Sequence, residues 1–100
     1  MKKKKAEVVV GNRLVLPTGL IREIRIWKIA KSERYPDGFR YRLVLADPRT
    51  NSVLLLFDNH WPKGHHVHVG DDESPYEFTG VEALVREFLK RVASIQRSRK

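Results

Sequence analysis

Apolar positions follow two different periods along this chain. Val8 to Leu16, Leu20 to Ile29, Phe39 to Ala46 and Val53 to Phe57 are rich in β-branched and aromatic residues. They are separated by Pro17-Thr18-Gly19, Pro36-Asp37-Gly38 and Asp47-Pro48-Arg49-Thr50-Asn51. Such runs between turn residues predict strands. In the third, Phe39, Tyr41, Leu43 and Leu45 alternate with Arg40, Arg42 and Val44, the signature of a half-buried strand. Val53-Leu54-Leu55-Leu56-Phe57 is apolar at every position, which predicts a central strand covered on both sides. After Thr79 the period changes. Thr79-Gly80-Val81-Glu82 is a capping box, and Val81, Leu84, Val85, Phe88, Leu89, Val92 and Ile95 form one stripe of a helix from Gly80 to about Gln96. The prediction is an α+β domain, an antiparallel sheet of four to five strands with one C-terminal helix packed on it.

Composition narrows what such a domain can do. One hundred residues with 41% hydrophobic positions support a single domain spanning 1–100. With no cysteine, disulfides, thiolate metal sites and a thiol nucleophile are all excluded, and the chemistry fits a cytoplasmic protein. The Lys2–Lys5 start resembles a secretory leader only superficially, because Glu7, Asn12 and Arg13 interrupt the apolar run behind it. No stretch approaches the ~20 apolar residues of a membrane helix, so no membrane partner is expected. The net charge is +8, and much of it lies in the tails 1–5 and 97–100, which have no apolar anchors and are expected to be mobile. Inside, residues 13–49 hold nine basic and four acidic side chains, whereas residues 50–87 hold two and seven. Tails and first half together suit a polyanionic partner such as RNA.

The candidate chemistry lies in Asp58 to Phe78, DNHWPKGHHVHVGDDESPYEF. All four histidines, His60, His65, His66 and His68, fall here beside Asp58 and Lys63. A lone surface histidine is ordinarily just solvated, but four within nine residues point to a site. If His66 to Val69 is a fifth strand, Val67 and Val69 face the core and His66 and His68 share the other face. A hairpin closed by His60 to Gly64 would then set Asp58 opposite His66. Two imidazoles can serve as acid and base in RNA cleavage by the 2′-hydroxyl, with Lys63, Arg40 or Arg42 countering the phosphate charge. That chemistry needs no metal and no cofactor. The same residues also permit a zinc site of His66 and His68 with His60 or Asp58. Asp71, Asp72 and Glu73 read as a solvated loop; Pro75, Tyr76 and Phe78 read as its anchors, with Tyr76 able to stack on a base.

The segments GFRYRL (Gly38 to Leu43), FDNH (Phe57 to His60), KGHHVHVG (Lys63 to Gly70), PYEF (Pro75 to Phe78) and VEALVREFL (Val81 to Leu89) stand in order along most of the chain from Ile24 onward. In this combination the chain resembles the TumE family of toxins. The resemblance implies a toxin neutralised by a cognate helix-turn-helix antitoxin. The family pattern is Lys-Gly-Asp-His-x-His, and here His65 stands at the Asp position. Asp58 is the expected substitute for orienting a histidine. Three functions follow from the residues: a metal-independent ribonuclease toxin, a zinc-dependent hydrolase or zinc-stabilised fold, and a non-catalytic module that binds RNA or protein.

Overall fold

The computed structural model describes residues 6–98. Six strands are followed by one helix: β1 (Glu7–Val15), β2 (Ile21–Lys28), β3 (Phe39–Asp47), β4 (Ser52–Asp58), β5 (His66–Val69), β6 (Asp72–Pro75) and α1 (Val81–Ser98). Each strand pairs antiparallel with its neighbour in sequence, giving one sheet in the order β1-β2-β3-β4-β5-β6. The α+β prediction holds, and the sheet has one strand more than expected. The extra strand is β6, whose Asp72-Glu73-Ser74-Pro75 carries no apolar residue and is exposed throughout. A two-residue turn, Gly70-Asp71, joins it to β5, with Gly70 at φ 59°; hairpin turns of this length favour glycine there.

The core is formed between one sheet face and α1. Ile24, Ile26, Tyr41, Leu43, Leu45, Leu55, Phe57 and Val67 meet Leu84, Phe88 and Val92 of the helix. The Phe57 and Phe88 rings meet edge to face at 6.0 Å, an arrangement that aromatic quadrupoles favour. Thr18, in the β1–β2 turn, hydrogen-bonds Gln96 and ties down the far end of the helix. The helix extends to Ser98, so Arg97 belongs to it. The tail positions 1–5 and 99–100 lie outside the described residues.

The expectation that β4 is covered on both faces is corrected. Leu55 and Phe57 are buried against the helix side, whereas Leu56 is only half-buried and Val53 is 43% exposed. Among the described residues there is a single helix, and it leaves the second sheet face open. Alternation sends Arg40, Arg42, Leu56, Asp58, His66 and His68 to that open face, because Tyr41, Phe57 and Val67 occupy the other. Every residue of the expected catalytic group borne on a strand is therefore on the side away from the helix.

Candidate functional site

The register across the open face is set by the hairpin from β4 to β5. Asp58 pairs with His66, and Leu56 with His68. The next hairpin pairs His68 with Glu73. Period-two alternation then lets both imidazoles rise on one side, with ring centroids 4.9 Å apart and planes at 78°. Val67 goes to the core, while Val69, the last residue of β5, is 44% exposed. His66 is not the exposed residue expected; it is 8% exposed and packed among its neighbours.

Hydrogen bonds give the two rings different roles. His66 Nδ1 donates to the Gly64 carbonyl at 2.8 Å. Its Nε2 is left with the lone pair whenever the ring is neutral. Gly64 presents that carbonyl from a left-handed conformation, φ 73°, which a residue with a side chain rarely adopts. His68 Nε2 donates to Glu73 Oε2 at 2.8 Å. Lys63 Nζ reaches the same oxygen at 2.8 Å, and His66 Nε2 lies 3.9 Å from it. Three nitrogens thus converge on a single oxyanion. The hydrogen bond from Lys63, reinforced by the charges of Lys63, His68 and His66, holds the Glu73 carboxyl below its usual range. Lys63, His65, His66, Glu73, Ser74 and Pro75 line a cavity of about 270 Å³.

The carboxylate beside the imidazoles is therefore Glu73, and Asp58 does not fill that place. Asp58 faces His66 across the ladder, but its carboxylate accepts the His60 backbone N–H two residues on. This local turn contact competes successfully for a short side chain. The loop between the strands runs from Asn59 to His65, longer than the expected His60 to Gly64, and it leaves room for that turn. Glu73 escaped notice because a polar run after a glycine reads as loop. The signal that would have found it is Gly70-Asp71 as a two-residue hairpin turn, which folds Glu73 back onto His68.

The other expected residues separate clearly. Arg40 and Arg42 share the open face, with Arg42 paired to Asp58 in register. His60 Nδ1 accepts from Arg40 at 3.2 Å and does not join His66 and His68. Tyr76 is not on this face; its ring packs edge-on against Phe57 at 5.1 Å, on the helix side. Among the described residues the groups placed to hold a metal together are His66, His68 and Glu73, whose ligand atoms lie within 4.8 Å of one another. The expected zinc set with His60 does not assemble.

His65, at the position where an Asp was expected, belongs to a second network on the core side. Its ring stacks on Phe78 at 4.9 Å and 3°. Its Nε2 donates to Asp37 at 2.8 Å, and Nδ1 accepts the Tyr41 hydroxyl at 2.8 Å. Burial, with nearby carboxylates adding to it, pushes the Tyr41 phenol far up, so it stays a neutral donor. His65 thereby pins the Lys63-Gly64 turn to the β3 side of the sheet.

Among known proteins, a family model described as Toxin TumE matches residues 2–96. No curated protein and no solved structure matches the chain.

Proposed function

We propose a function from the premise that the chain belongs to the TumE toxin family and is the toxin component of a toxin–antitoxin system: it cleaves RNA through the imidazole pair of β5. As a toxin it has a cognate antitoxin partner, and we take that partner to be of the helix-turn-helix kind. No helix among the described residues is long and apolar enough to cross a membrane, and cytoplasmic RNA is the target we propose.

The observation that carries this reading is the convergence of Lys63, His68 and His66 on one oxygen, Glu73 Oε2. A phosphate oxygen is the same kind of acceptor, so the scissile phosphate would take the place of that carboxylate oxygen. His66 Nε2, left with its lone pair by the Gly64 contact, accepts the 2′-hydroxyl proton. The 2′-oxygen attacks phosphorus, and the bond from phosphorus to the 5′-oxygen breaks. His68 Nε2–H protonates that leaving oxygen, and Lys63 balances the charge on the phosphate. The products are a 2′,3′-cyclic phosphate and a 5′-hydroxyl.

A second reading is favoured by one observation, the grouping of His66, His68 and Glu73 as ligands. A His66 fixed through Nδ1 is also how a metal-bound imidazole is oriented, and the metal would then supply a bound hydroxide. Expression of the chain without antitoxin tests the proposal. Growth arrest abolished by a His66→Ala, His68→Ala double substitution supports it, and full arrest by that double variant contradicts it. Stoichiometric metal in the purified protein, with activity lost to a chelator, would move the choice to the second reading.

A further inference from the structure

We propose that the open sheet face carries a stacking subsite for one base of single-stranded RNA at Trp27, separate from the place of the scissile phosphate. Trp27 lies on β2, opposite Arg40 on β3. Its neighbour Ile26 is fully buried in the core, so alternation turns the indole to the open face, where it is half-buried. Beside it is a cavity of about 100 Å³ lined by Trp27, Arg40, Tyr41, Arg42, Asp58 and His60. That lining combines an aromatic plane, two guanidiniums and a carboxylate. The carboxylate can accept from a base amine, and the guanidiniums suit phosphates.

The guanidiniums are available for this. Arg40 donates to an imidazole nitrogen, and Arg42 meets Glu23 only at 3.9 Å. Among the described residues neither is held by a close carboxylate. The cavity lies on the same sheet face as the imidazole pair, since Arg42, Asp58 and His66 follow one another in register across β3, β4 and β5. Three strand spacings separate β2 from β5, about 14 Å. That is about four nucleotides at the 3.4 Å rise of a stacked strand, and fewer for an extended one. A duplex cannot use the subsite, since its bases keep their faces within the stack. The placement of the phosphate rests on the ribonuclease reading, whereas the stacking does not.

The test uses the full chain and a 2′-O-methyl hexaribonucleotide, which cannot be cleaved through a 2′-hydroxyl. Trp27→Leu should weaken binding about five-fold or more, the effect of losing one stacked base. Trp27→Phe, which keeps an aromatic face, should restore most of it. With cleavable RNA, Trp27→Leu should raise KM for a hexanucleotide and leave kcat and dinucleotide cleavage unchanged. Undiminished binding by a folded Trp27→Leu, or duplex RNA bound as tightly as the single strand, overturns the subsite. If the parent chain cleaves no RNA, the ribonuclease reading fails while the binding comparison still decides the subsite.

Discussion

At Glu73 the two readings of the site make opposite demands on one carboxylate. In the metal-free mechanism it occupies the position of the phosphate and competes with it, so Glu73→Gln should lower KM by about two- to five-fold, the scale of an exposed charge contact. In the metal reading it is a ligand, and the same substitution should abolish activity. Steady-state kinetics of the variant separates them. The histidines predict more. Replacing His66 or His68 singly should cost about 10²–10⁴-fold in cleavage rate, and the parent rate should follow a bell-shaped pH profile, because one ring must be neutral and the other protonated. His60→Ala should cost far less, since His60 touches Arg40 and not the pair. A monotonic profile would contradict the division of roles. Tyr41→Phe leaves His65 Nδ1 without its buried donor and should destabilise the fold by about 1–3 kcal/mol in denaturant titration, with the active pair intact.

At the scale of elements, what could be read from the sequence depended on how strongly each segment's period was marked. β1 to β4 and α1 were legible as elements because β-branched runs between turn residues and a 3-4 stripe mark them, but the all-apolar run Val53 to Phe57 did not show that one face of β4 stays open. The β5 register was legible from Asp58 and His66 because a strand alternates faces with no freedom. β6 was not, because pairing with β5 rather than burial makes it a strand, and pairing leaves no hydrophobic signal. For the same reason no hydrophobic pattern marks Glu73 as the imidazole partner, and only the Gly70-Asp71 turn signal points to it. The Asp37-His65-Tyr41 network joins residues up to 28 positions apart, and only the folded β2–β3 and β4–β5 loops bring them together. The helix stripe makes a direct prediction. Phe88 is fully buried against Phe57, so Phe88→Ala should cost roughly 3–5 kcal/mol in equilibrium unfolding. A cost well below 1 kcal/mol would mean that α1 packs elsewhere.

The whole molecule divides its labour between two faces of one sheet. One is closed by the helix and supplies stability; the other is open and carries arginines, histidines and a tryptophan. The net charge of +8 acts on top of this, with Lys2 to Lys5 as its densest part. Removing those four lysines should leave the thermal midpoint nearly unchanged, weaken RNA binding and flatten its salt dependence. An unchanged salt slope would confine the electrostatic footprint to the open face. The central claim is that His66 and His68 cleave RNA without a metal, and one measurement meets it directly. Purified protein, treated with chelator, is incubated with a defined RNA, and the product ends are identified by mass. The account predicts 2′,3′-cyclic phosphate and 5′-hydroxyl ends from the parent chain and none from the His66→Ala, His68→Ala variant. Intact RNA with the parent chain, or the same cleavage by the double variant, would contradict it.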